Sequence, residues 1–316
     1  MTTEASRRFR HEAAIYWSDD ELLAVAVPFL RDGVDTGVPT LVGLEPREQD
    51  LVLAALGDTD GIIPLGGGHY ADPFRALEAT HRLLTDQVSH GATPVRVLGQ
   101  VPNHATGTEW GRWVRYESAI NDLYAELDVW SICPYDARRT DPAVLADVER
   151  THTHLASLNG DRGPNEGFVE PTAFLADRAR QDIDPLEAQA PHLACQDPSP
   201  SDARRAIATL AATTQLDSDT VERLVLAVSE LVTNATMHGR PPVELAAWAS
   251  TRRVVATVHD HGPGPDDPLA GYMPRRGDPV GGLGLWMVNQ ACSGVAMRRV
   301  ADGFTVQVTA GTPPTY

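Results

Sequence analysis

The chain has 316 residues, 42% of them apolar, and a formal charge of −17. That length suits two domains of ordinary size, and no apolar run reaches the roughly 18 residues of a membrane helix. All 26 cationic side chains are arginine, which excludes a lysine-dependent P-loop and Schiff-base chemistry, and the acidic balance opposes binding to nucleic acid or anionic membrane.

Residues 1–10 carry charge but no apolar segment follows, so they do not read as a signal peptide, and a cytoplasmic location is expected. Cys133, Cys195 and Cys292 are far apart and form no C-x-x-C; they fit reduced, mostly buried thiols better than disulfides or a zinc site.

From residue 11 to about 155, strand-like and helix-like stretches alternate. The short apolar runs 40–44, 61–65, 94–98 and 128–133 read as buried strands, with helical patterns near 19–36, 46–56, 72–90 and 108–126. In the third of these, Phe74, Leu77, His81, Leu84 and Val88 recur at steps of three or four, close to a 3.6 period. This alternation predicts an α/β domain whose mainly parallel sheet is covered on both faces. Residues 156–195 carry Pro164, Pro171, Pro185 and Pro191, and only 172–182 suits a helix; they read as a linker with one helical piece.

From Pro198 the pattern is helix, helix, strand, strand, loop, helix, strand, strand. Ser201 can cap a helix running to about Thr213, and Asp217 or Ser218 the next, from 219 to 238, ended by Gly239 and Pro241. Strands are expected at 242–249 and 253–259, a Pro/Gly-rich loop at 261–281, a helix at 283–292, and a hairpin over 295–309 turning at Asp302-Gly303.

Three short motifs lie in this half: Glu230-Leu-Val-Thr-Asn234-Ala-Thr-Met-His238, Asp260-His-Gly262-Pro-Gly264 and Gly281-Gly282-Leu283-Gly284-Leu285. Helical spacing puts Glu230, Asn234 and His238 along one face, either as a solvated polar face or as groups entering a shared site. Gly262 and Gly264 let the backbone pass close to a flat ligand, or form a plain turn. Gly282 and Gly284, with Leu283 and Leu285, open a helix whose first N–H groups favour an anion; the bland alternative is a hinge. Arg275 and Arg276 can neutralise phosphate or remain solvated loop charges.

In this order and spacing the motifs resemble the N-box, G1-box and G2-box of the GHKL ATPases, the class shared by histidine kinases, type II topoisomerases and the anti-sigma serine kinases. The resemblance covers about residues 190–310. It implies an α+β sandwich, helices on one face of a mixed sheet, and ATP with Mg²⁺ as ligands. Asn234 would hold the metal and Glu230 would act as base on the attacking hydroxyl. Asp260 would read the adenine amine, His238 would touch phosphate or cap its helix, and 265–281 would be the lid. A sensor histidine kinase needs a long helical hairpin with a phosphoacceptor histidine. His152, His154 and His192 are the candidates, and all lie in or beside the proline-broken segment. The Gly-Gly-Leu-Gly-Leu-Trp286 box and short layout look most like the anti-sigma-factor serine/threonine kinases. That likeness implies a sigma factor and an antagonist protein as partners, with a homodimer compatible. A non-catalytic sigma-binding module and an unorthodox histidine kinase are the alternatives.

His11-Glu-Ala-Ala-Ile-Tyr16, Tyr116-Glu-x-x-Ile-Asn121, Cys133-Pro-Tyr-Asp136 and Thr151-His152 resemble the MEDS sensory domain, named for methanogens and methylotrophs. This implies a RecA-like α/β core that senses a small molecule or a protein. Open α/β sheets bind ligands beyond the carboxyl ends of their strands, which makes His69, His104 and Asp136 candidates, against ordinary loop residues. The x-H-x-H of His152 and His154 is too common to support a metal site by itself. The expected organisation is a sensory domain over 8–160, a linker over 161–189 and an ATPase domain over 190–312.

Overall fold

The computed structural model describes residues 8–66, 68–91, 94–102, 105–156, 163–274 and 283–312. It divides into two compact units, Met1–Phe174 and Leu175–Tyr316. No described helix is long and apolar enough to cross a membrane.

The first unit runs β1 (Arg10–Tyr16), α1 (Asp19–Asp35), β2 (Thr40–Gly43), α2 (Pro46–Leu56), β3 (Ile62–Pro64), α3 (Pro73–Ser89), β4 (Val95–Gly99), α4 (Gly107–Leu123), β5 (Val129–Asp136), α5 (Pro142–Thr151) and β6 (His154–Leu155). Its six strands lie in the order β3-β2-β4-β5-β1-β6, all parallel. β2 and β4 are buried along their whole length, which is why they read as short, mainly apolar runs, interrupted in β4 by buried Arg96. Helices α1 and α2 cover one face, where Leu22, Phe29 and Val52 pack with Val42, Leu98 and Ile132. Helices α3 and α4 lie on the other, where Leu84, Tyr116 and Ile120 meet Val97, Val129 and Cys133. Caps set the helix starts: Ser18 accepts the Glu21 N–H, and Asp72 accepts those of Phe74 and Arg75. The pattern of apolar runs does not reveal β1 as a strand, because it carries buried His11 and Glu12 among alanines. It nonetheless sits inside the sheet, between β5 and β6.

The second unit begins within α6 (Pro171–Gln181). It continues with a 3-10 turn over Pro185–Ala188, β7 (Leu193–Gln196), α7 (Pro200–Ala211), α8 (Ser218–His238), β8 (Glu244–Ser250), β9 (Arg253–Asp260), α9 (Gly284–Ala291), β10 (Gly294–Val300) and β11 (Gly303–Gly311). The five strands run β10-β11-β9-β8-β7, every pair antiparallel. Alternate residues of β9 and β11, among them Val254, Val258, Val306 and Val308, enter one core with Leu224, Val228 and Val232 of α8 and Val288 of α9.

The opposite face is covered by residues 182–189, which proline and charge mark as linker in the sequence. Two of their acidic side chains pair with arginines, buried Arg253 and part-buried Arg298: Arg253 Nη2 lies 3.3 Å from Asp184 Oδ1 and Arg298 Nη2 lies 3.0 Å from Glu187 Oε2. Trp248 Nε1 donates to the Gln189 carbonyl and Gln307 Nε2 to that of Asp182. The α7 cap also differs from expectation. Ser199, not Ser201, accepts the Asp202 N–H, because Pro200 takes the first helical position, and the Ser199 hydroxyl in turn donates to the Asp202 carboxylate.

Candidate functional site

The α8 stripe that enters the core leaves Glu230, Asn234 and His238 on another face. Asn234 and His238 line a cavity of about 440 Å³. Asp260 at the end of β9, the loop from Gly264 to Gly271, Leu285 of α9, and Phe304 and Val306 of β11 also line it. His238 is exposed at the last turn of α8.

Asp260 is buried. Its Oδ1 accepts the Gly262 N–H at 2.6 Å and the Arg240 N–H at 3.2 Å. Its Oδ2 makes no hydrogen bond with a described residue. Two glycines clasp this carboxylate. A Cβ on Gly239 would stand 2.3 Å from Oδ1, and one on Gly262 would stand 2.6 Å from it. Gly239 is therefore more than a helix stop, and sequence reasoning missed it because the clash is with a residue 21 positions on. Gly264 has φ +70°, and a Cβ there would lie 2.3 Å from Phe304 Cδ2. Only glycine combines that backbone with that approach. Arg299 of β10 holds the loop by donating to the carbonyls of Pro263 and Pro265.

Glu230 and Asn234 meet at the start of α9. A Cβ on Gly284 would lie 3.2 Å from Glu230 Oε2 and 3.3 Å from Asn234 Nδ2. No side chain caps α9 at Leu283, so its first N–H groups face this corner with the dipole's positive end. Asn289 Nδ2 donates to the Gly271 and Leu285 carbonyls, tying the loop to α9. Arg275, Arg276, Gly281 and Gly282 lie outside the described residues. Phe304, Arg299 and Asn289 carry no local motif, so sequence reasoning passed over them.

In the N-terminal unit, both Asp136 oxygens are taken by Arg138, whose Nε lies 2.8 Å from Oδ1 and whose Nη2 lies 2.7 Å from Oδ2. That hydrogen bonding holds the Asp136 carboxyl below the usual carboxylate range. His69 Nε2 pairs with Thr80 Oγ1 at 2.8 Å, and His104 lies outside the described residues. These three were the loop candidates, and the two described ones are occupied by neighbouring side chains.

Two family models match the chain. The one described as the methanogen/methylotroph, DcmR sensory domain (MEDS) matches residues 10–153. The histidine kinase-like ATPase domain matches residues 198–310. No curated protein matches. Among solved structures, the cytoplasmic domain of EssC is similar at 14% identity and TM-score 0.28 over 49% of this chain and 34% of that one. The crystal structure of Oryza sativa TDC with PLP is similar at 14% identity and TM-score 0.28 over 93% and 62%. The chain thus spans about a third and about three fifths of the length of those two proteins, and scores this low do not establish a shared fold.

Proposed function

We propose, from the premise that this chain joins a MEDS sensory domain to a histidine kinase-like ATPase domain and so is a regulatory ATP-binding protein, that it is an anti-sigma-type protein kinase. In this reading it phosphorylates an antagonist protein on serine or threonine and sequesters a sigma factor, under control of the sensory domain. The observation that carries the reading is the corner at Gly284, where a carboxylate and an amide one helical turn apart on α8 meet the uncapped start of α9.

The cavity suits ATP in kind. Its volume of about 440 Å³ falls in the usual range for small-molecule sites, roughly 300–1,000 Å³. Asp260, clasped by Gly239 and Gly262, keeps Oδ2 to accept a hydrogen bond from the adenine amine. Gly264 and Phe304 offer a close, flat wall. The first N–H groups of α9 take phosphate charge. Asn234 offers an amide oxygen to Mg²⁺, a hard ion that prefers oxygen ligands and retains waters; when bound, it would neutralise phosphate charge. In this reading Glu230 takes the proton of an incoming hydroxyl. A purely sequestering module needs no base there. A histidine kinase needs a long helical hairpin upstream, whereas the helical pieces among the described residues from 163 to 199 are α6, of 11 residues, and one 3-10 turn.

The test is incubation with labelled ATP and Mg²⁺, alone and with candidate antagonist proteins, followed by acid treatment. Acid-stable phosphate on the antagonist is the expected result. Acid-labile phosphate on this chain would favour the histidine kinase, and partner binding without any transfer would favour the sequestering module.

A further inference from the structure

Four chemically distinct side chains converge inside the N-terminal unit: His11 on β1, Glu117 on α4, Cys133 on β5 and His152 directly after α5. All four are buried; His11, Glu117 and His152 have no exposure at all. His11 Nε2 lies 3.1 Å from Glu117 Oε2 and 3.5 Å from Cys133 Sγ. His152 Nε2 lies 3.4 Å from the same carboxylate oxygen. The four ligand atoms all fall within 4.8 Å of one another.

The neighbours fix the tautomers. Asn121 Nδ2 donates to the carbonyls of Glu117, Ser118 and Thr151, so its Oδ1 is the atom 3.2 Å from His11 Nδ1. His11 Nδ1 must then carry the hydrogen. His152 Nδ1 lies 2.9 Å from the Val148 carbonyl, which can only accept, so it too carries the hydrogen. Both rings are fully buried, where an unpaired charge is costly, and a neutral imidazole has one N–H. Both Nε2 lone pairs therefore face the Glu117 carboxylate, and that of His11 also faces the Cys133 sulfur. Neither Glu117 oxygen nor His152 Nε2 meets a donor or acceptor at full hydrogen-bond geometry, and the buried Tyr135 hydroxyl, another donor close to Glu117, is also unmet. Without an ion, Glu117 must carry a proton to satisfy His152 Nε2 while the Cys133 thiol donates to His11 Nε2.

A tetrahedral ion with bonds of about 2.0–2.3 Å holds its donors roughly 3.3–3.8 Å apart. The three separations of 3.1, 3.4 and 3.5 Å lie around that spacing. Asn121 and the Val148 carbonyl stand where the orienting partners of metal-bound histidines stand. We propose that His11, Glu117, Cys133 and His152 bind one divalent first-row transition ion, of the class that nitrogen, sulfur and carboxylate donors select together. Binding replaces the Cys133 thiol proton, and any proton on Glu117, with the ion, and the protons leave to solvent. The donors come from four elements separated by long stretches of chain, which is why cysteine spacing alone gave no zinc motif.

The experiment uses the full chain, stripped with a chelator, loaded with Zn²⁺, desalted and assayed for metal by mass spectrometry. One equivalent is expected in the native chain. A retained content of roughly a tenth or less is expected in the Cys133→Ser/His152→Gln double variant. His261→Ala should keep the full equivalent, since it disrupts the half-exposed His259–His261–Asp302 group. A Co²⁺-loaded native chain should show a thiolate-to-cobalt charge-transfer band, and Cys133→Ala, checked for fold by circular dichroism, should lack it. If the double variant does not fold, this cobalt comparison decides. The proposal is overturned if the native chain retains no Zn²⁺ or Co²⁺, if the cobalt complex lacks the thiolate band, or if folded variants hold as much metal as the native chain.

Discussion

Asp260 is the residue through which base recognition is most directly tested. Its Oδ1 is engaged by two backbone N–H groups, so a substitution that keeps the shape should leave the clasp largely in place. Asp260→Asn removes the charged acceptor, a loss of roughly 1.5–3 kcal/mol. ATP should bind about 10- to 100-fold more weakly, as measured by calorimetry, and GTP should bind poorly to the native chain. Equal affinity for ATP and GTP would remove Asp260 from this role. Glu230 and Asn234 separate in the same way. Glu230→Gln should bind ATP like the native chain but transfer phosphate at least about a hundredfold more slowly, since a general base contributes roughly 10²–10⁴ to a rate. Asn234→Ala should instead abolish the Mg²⁺-dependent part of ATP binding with the fold intact, an exposed-type helix substitution within roughly 0.5 kcal/mol. Single-turnover transfer beside calorimetry distinguishes the two, and unchanged Mg-ATP affinity in folded Asn234→Ala would sink the metal assignment.

At the scale of elements, caps and end-to-end ties decide where helices and strands stop. Ser199 caps α7 and Ser201 does not. Ser199→Ala should therefore lower stability by about 1 kcal/mol, while Ser201→Ala should change it little; urea midpoints of the full chain measure the contrast. A second tie joins the end of β5 to the start of α1: Arg138 bonds Asp136 and also Asp19 at 3.0 Å. Hydrogen bonding to Arg138 depresses the folded-state pKa of Asp136. The stabilisation is thus fully present above the unfolded value, about 3.9, and is lost as pH falls through the depressed folded value. Asp136→Asn should cost about 1–3 kcal/mol at neutral pH, and the gap to the native chain should close on acidification below about pH 4. Urea unfolding across that range checks the sign, and a gap that widens in acid would contradict it.

Across the whole molecule, legibility followed burial and locality. Strands β2, β4 and β5 were readable because both faces of the sheet are covered, leaving apolar runs flanked by turns. β1 was not, since His11 and Glu12 occupy core positions that a period-based reading assigns to solvent. The strap at 182–189 was hidden because its charges are paired with arginines that arrive from β9 and β10. Glu230, Asn234 and Asp260 could be picked out because their motif spacing is local. Gly239 and Phe304 could not, because their contacts join positions with no sequence relation. His11, Glu117, Cys133 and His152 all stood inside motifs that the sequence offered without a mechanism, and their common point appears only when four elements close on it.

The placement of β1 bears on how this chain is made. Arg10 of β1 pairs with Trp130 of β5, about 120 residues later, and Glu12 pairs with His154 of β6. At a synthesis rate of about 5–20 residues per second, the first strand emerges on the order of 10 seconds before its partners exist. Throughout that interval β1 lacks a neighbour and the growing sheet keeps an open edge, the kind of surface that pairs with other chains. The ribosome must deliver nearly the entire N-terminal unit before its sheet can close.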